Sequence, residues 1–121
     1  MKEVSIYHNN RCSKSRKALQ ILEGKEITLN VINYMQEPIT EEALQEILTK
    51  LKIKPAELLR KGEGDYKNHV KDKDLSDQEL IQLMIEFPKL MERPIVIVDA
   101  YAVVARPPEL VNKLLNSENS H

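Results

Sequence analysis

A single cysteine among 121 residues leaves no disulfide framework to hold this chain together. No apolar run approaches the length of a membrane-spanning helix, so no contact with a membrane is expected. Met1 leads straight into a strand-like segment without a signal-peptide pattern, and together with the lone thiol this predicts a reducing, cytoplasmic setting. Excess charge of either sign is also missing. The balance of 18 Lys and Arg against 19 Asp and Glu gives a net charge of -1, so nothing global points to nucleic acid, and a basic site must be local. Histidines number 3, and a zinc site would need two ligands beyond Cys12 and His8, so no metal centre is expected. Internal repeats and low-complexity segments are absent. What remains is an ordinary soluble composition, 41% hydrophobic and 31% charged, long enough for one domain with a real core.

The pattern along the chain predicts an α/β order. Val4–His8 is rich in β-formers and reads as a first strand. Ser13–Glu23 carries Ala18, Leu19, Ile21 and Leu22 at helical spacing, with Gly24 where a C-terminal cap belongs. Thr28–Tyr34 alternates as a second strand, completing a strand–helix–strand unit. Thr40 is placed to cap a helix through Leu51, and Pro55 to open a short one through Leu59. The stretch KGEGDYKNH around Gly62 and Gly64 is expected to be the loosest part of the middle, where the glycines suggest a movable flap. Ser76 and Glu79 form a capping box for a helix that Pro88 stops. Ile95–Asp99 and Ala102–Ala105 read as buried strands with a tight connection at Ala100 and Tyr101, and Pro107-Pro108-Glu109 opens a final helix. The tail from Asn116 is polar and expected to fray. The prediction is a single domain over residues 1–121: a four-stranded mixed sheet, flanking helices, and a helical insertion at about residues 40–90.

Cys12 falls between the first strand and the first helix. Free N–H groups and the positive end of the helix dipole favour a thiolate there. The surrounding NNRCSKSRK adds Arg11, Lys14, Arg16 and Lys17 and no acid. A lone cysteine is often an inert core residue, but inert cysteines seldom sit in an electropositive helix-start loop. The N–H groups of Ser13, Lys14 and Ser15 can also cradle a tetrahedral anion. The Ser13 and Ser15 hydroxyls can add donors or cap the helix, and His8 can approach the sulfur from the strand end or face solvent. A cysteine-type phosphatase loop separates Cys from Arg by more than the three residues between Cys12 and Arg16, which argues against that chemistry. Arg60, Arg93 and Arg106 all stand at turns. Each alone reads as a surface cation; together they suit bidentate binding of an oxyanion.

Four blocks then resemble one family in order and spacing: YHNNRCSKSRKAL at Tyr7–Leu19, LLRKGEGDYK at Leu58–Lys67, ERPIVIVD at Glu92–Asp99 and ARPPE at Ala105–Glu109. The chain resembles the ArsC-type arsenate reductases of the glutaredoxin-coupled kind. That resemblance implies a thioredoxin-like fold with an inserted helical lobe and a cis Pro94 beside the site. It implies Cys12 as nucleophile, His8 and Ser15 as residues that keep its thiolate ionised, and Arg60, Arg93 and Arg106 as the oxyanion-binding set. It further implies arsenate or a similar oxyanion as substrate, no bound cofactor, glutathione as co-substrate and glutaredoxin as partner. A single cysteine suits that scheme, because the electrons come from outside thiols. The block Cys12-Ser13-Lys14-Ser15 departs from the Cys-Gly-Thr form of the plasmid-type enzymes and looks more like a chromosomal branch.

Two alternatives share these features. Spx-like transcription regulators bind RNA polymerase on the same fold and share the LLRKGE block, but usually carry a Cys-x-x-Cys switch where this chain has Ser15. A glutathione-linked thiol transferase would read Cys-x-x-Ser as its motif, yet such enzymes usually place a glycine pair after the fourth strand, where this chain has Arg106-Pro107-Pro108.

Overall fold

The computed structural model describes residues 2–119, with side chains described from 3 to 115. By its internal contacts the chain forms two compact units: residues up to Glu37 together with those from Arg93 onward, and Pro38–Glu92.

The first unit holds strands β1 (Lys2–His8), β2 (Ile27–Asn33), β3 (Ile95–Val98) and β4 (Tyr101–Val104) in the order β2-β1-β3-β4. β1 and β2 run parallel, joined through helix α1 (Ser13–Glu23), while β3 is antiparallel to both β1 and β4. The sheet is therefore mixed. Val4 lies opposite Val98 and Ile6 opposite Val96, so these four project to one face. All four are fully buried, each contributing about 1.5–3 kcal/mol by leaving water. They meet Ala18 and Leu22 of α1 and, on the last helix, Val111, Leu114 and Leu115. That helix follows Pro107 and Pro108 as predicted but runs Leu110–Asn119, beyond the expected fraying point at Asn116. Ser120 and His121 lie outside the described residues. Asp99 takes the left-handed conformation (φ 53) in the β3–β4 turn, which places β4 one residue earlier than its apolar pattern suggested.

In the Pro38–Glu92 unit, α2 (Glu41–Leu51) starts where the Thr40 hydroxyl accepts the Ala43 N–H at 3.1 Å. It ends at Lys52, whose left-handed backbone (φ 59) does what a glycine does at other helix ends. Pro55–Leu58 is a single 3-10 turn. The expected loose stretch is partly helical: α3 spans Gly64–His69, and neither Gly62 nor Gly64 has a positive φ. Polar, glycine-containing sequence hid that short helix. The Ser76 and Glu79 capping box opens α4 (Asp77–Glu86), which packs on α2; Gln78 and Gln82 donate to the Glu41 carboxylate. Counting the last helix, Leu110–Asn119, as α5, both helices of the first unit lie on the Val4–Ile6 face of the sheet.

Candidate active site

The strand order brings three chain segments to one edge of the sheet. β1 ends at His8, β3 begins just beyond Pro94, and β4 ends just before Ala105; because β3 is antiparallel to both neighbours, these ends adjoin. The Ala105 N–H donates to the Pro94 carbonyl at 2.8 Å, carrying the ladder one step further. The Arg93-Pro94 peptide is cis, as the resemblance implied, and Arg106-Pro107 is cis as well, which no sequence argument anticipated. Arg106 Nη1 donates to the Arg93 carbonyl at 3.3 Å.

Cys12 is the N-cap of α1, with extended backbone (φ -96, ψ 121) and no capping bond from its side chain. Its carbonyl accepts the Arg16 N–H at 3.0 Å, so helix formation begins at the cysteine and leaves the following N–H groups free to face the sulfur. Partial burial pushes the thiol up, but it is outweighed. The N–H of Ser15, the hydrogen bond and charge of the Arg93 guanidinium, and the N–H of Lys14 together hold Cys12 below its ordinary value.

Arg93 carries a further feature. Its Nε and Nη1 are buried and, among the described residues, have no hydrogen-bond partner. A buried donor without an acceptor costs about 1–3 kcal/mol, more on a charged group. Two such donors beside the Cys12 sulfur are able to bond the oxygen atoms of an anion.

His8 and Ser15 are brought together, and both are buried. His8 Nδ1 lies 2.6 Å from Ser15 Oγ, which also accepts the Asn9 N–H at 3.0 Å. Burial holds the imidazole below its ordinary 6.5, with the Arg16 charge acting in the same direction and Ser15 and Glu23 opposing. A neutral ring with Nε2 protonated then accepts the Ser15 O–H at Nδ1. The Ser15 hydroxyl is thus committed to His8 and Asn9, and Ser15 acts on the sulfur through its backbone N–H.

Arg60 belongs to the other unit. Its Nη1 pairs with Glu63 Oε2 at 3.1 Å, and its N–H donates to the Leu90 carbonyl at 2.7 Å. Sequence reasoning missed Asn9, a buried polar residue whose backbone and side chain both bond within the active loop. An asparagine three residues before the nucleophile, at the first position of a turn, was the available signal. Among the described residues no His, Cys, Asp and Glu side chains group as a metal site, and no helix is long and apolar enough to cross a membrane.

A mixed β2-β1-β3-β4 sheet with a helix-capping cysteine at the end of its first strand defines a thioredoxin-like protein. The chain belongs to the ArsC family, whose sequence profile matches residues 7–114. It is 42% identical over 116 residues to the uncharacterized protein YfgD of Escherichia coli strain K12, covering 94% of this chain and 98% of that one. It is 40% identical to the arsenate reductase of Haemophilus influenzae, over 93% of this chain and 98% of that protein. The structure of an arsenate reductase from Vibrio cholerae superposes with a TM-score of 0.87 at 39% identity, over 93% and 97% of the two chains.

Proposed function

We propose that this protein reduces arsenate to arsenite, with Cys12 as the nucleophile and outside thiols as electron donors. The observation that carries the reading is the Arg93 guanidinium: one part of it stabilises the sulfur, while Nε and Nη1 are buried with no partner among the described residues. A thiolate beside unfilled cationic donors suits a reaction in which sulfur must approach an oxyanion.

The Cys12 thiolate bonds to arsenic as one As–O bond breaks, and that oxygen leaves as water after taking up protons. Glutathione replaces a second oxygen in the same way. A further thiol, supplied by glutaredoxin, then attacks the glutathionyl sulfur; a disulfide forms and the S–As electron pair stays on arsenic, taking it from As(V) to As(III). Hydrolysis of the remaining Cys12–As bond releases arsenite and restores the thiolate. Overall, arsenate and two thiols give arsenite, one disulfide and water. Arg93 and Arg106 neutralise oxyanion charge in the first step, and no bound cofactor is required. Dependence on external thiols fits a reducing, cytoplasmic compartment.

The test is arsenite formation from arsenate with glutathione, glutaredoxin and purified protein. Turnover is expected for the wild type and none for Cys12→Ser. Reduction of a disulfide substrate with no consumption of arsenate would replace this reading with a thiol-transferase one.

A further inference from the structure

Three hydrogen bonds meet at Asn9, a residue to which neither the family resemblance nor the chemistry above gave a role. Its carbonyl accepts the Cys12 N–H at 3.0 Å, closing a turn over residues 9–12. Its side-chain Oδ1 accepts the Arg11 N–H at 3.0 Å, an Asx-turn inside the first. Its own N–H donates to Ser15 Oγ at 3.0 Å. The residue is 7% exposed, so water cannot readily replace these partners. One bond therefore fixes the nucleophile's backbone, one shapes the chain between them, and one holds the residue whose N–H faces the sulfur.

We infer that Asn9 is a positioning residue for the Cys12 nucleophile, locking the 9–12 turn onto Ser15 so that the N–H groups at the start of α1 stay aimed at Sγ. The inference rests on Cys12 being the reactive thiol. Asn9 acts through others: its side chain sets the turn, and the turn carries the Asn9 N–H to Ser15. The Ser15 hydroxyl, held from the other side by His8, cannot then rotate to compete for the helix N–H groups. Without the Oδ1 acceptor, the Arg11 N–H turns elsewhere, the loop gains freedom, and the Ser15 N–H spends less time on the sulfur. Serine at this position keeps a side-chain acceptor and forms the same kind of turn more weakly.

The experiment is the pH dependence of Cys12 alkylation by iodoacetamide, with the melting temperature measured alongside. Asn9→Ala is expected to move the alkylation midpoint to higher pH and slow alkylation on the acid limb by about fivefold, the equivalent of one ordinary hydrogen bond. The fully ionised rate at alkaline pH should not fall, since a more basic thiolate is at least as nucleophilic. Asn9→Ser should return the midpoint toward that of the wild type. In a Ser15→Ala background, Asn9→Ala should add little further shift, because both act through one hydroxyl. Should Asn9→Ala fail to fold, Asn9→Gly removes the same acceptor and is read by the same criteria. A lowered melting temperature with an unmoved midpoint, or full additivity with Ser15→Ala, overturns the inference. The alkylation readout needs no arsenate, so failure of the proposed function would leave it intact, and the reverse also holds.

Discussion

Replacing Arg93 by methionine separates the anion-site account from a purely structural role for this arginine. Nε and Nη1 are buried and have no partner among the described residues, and each unmade hydrogen bond costs about 1–3 kcal/mol. Methionine fills similar space and carries no donor. Against that gain stands the lost hydrogen bond from the guanidinium to the Cys12 sulfur, about 1.5–3 kcal/mol for a charged pair. The Arg106 contact is to the Arg93 main-chain carbonyl and survives the substitution. The balance runs from a loss of about 1 kcal/mol to a gain of about 4 kcal/mol, and each kcal/mol shifts the melting temperature by about 3–5 °C for a chain of this size. The same substitution removes a charged donor from the oxyanion, which should lower kcat/KM for arsenate about 100- to 1000-fold. Thermal melts with and without arsenate or sulfate, combined with arsenite assays, measure both effects. The wild type should melt higher with the anion present, and Arg93→Met should lose that increment. A variant that is destabilised by several kcal/mol, or that keeps the anion-induced rise and its turnover, would refute the reasoning.

The helical unit and the site have separate sensitivities. Ser76→Ala removes the hydroxyl half of a reciprocal capping box, the 3.2 Å bond from the Glu79 N–H, and keeps the 3.1 Å bond from the residue-76 N–H to the Glu79 carboxylate; it should cost about 1 kcal/mol by urea titration while leaving thiol reactivity unchanged. His8 is held below 6.5 when folded, so in mildly acid solution the unfolded chain binds its proton first. Stability should therefore be level above about pH 6.5 and decline as pH falls below it, and His8→Gln should flatten that decline in urea midpoints measured at pH 5 and pH 7.5. The acid limb of Cys12 alkylation should lie below the range of an ordinary thiol and shift upward in Arg93→Met, since the guanidinium is one of the groups holding the thiol down.

Much of the fold was legible because its signals are local. The capping residues Thr40 and Ser76, and the apolar spacing of Ala18 and Leu22, placed their helices within a residue or two. The misplaced features depend on information that periodicity does not carry. The short helix at Gly64–His69 has no buried residue to create a pattern, and the left-handed Lys52 and Asp99 sit where sequence favours glycine or asparagine. At the site, the helix-start setting of Cys12 was readable from its flanking charges. The meeting of the Arg93 and Arg106 segments was not, because it follows from the antiparallel placement of β3 between β1 and β4. The division of labour at Ser15, hydroxyl to His8 and Asn9 but N–H to sulfur, is a matter of rotamer and backbone direction that residue types leave open.

The central claim is that the Cys12 sulfur and the unfilled Arg93 donors form one receptor for an oxyanion. Crystals soaked in arsenate, with data collected at the arsenic absorption edge, test it most directly. The account predicts an arsenic peak within bonding distance of Cys12 Sγ and arsenate oxygens on Arg93 Nε and Nη1. Arsenic bound elsewhere, or a sulfur without arsenic and no oxyanion on Arg93 Nε and Nη1 at saturating arsenate, would contradict it.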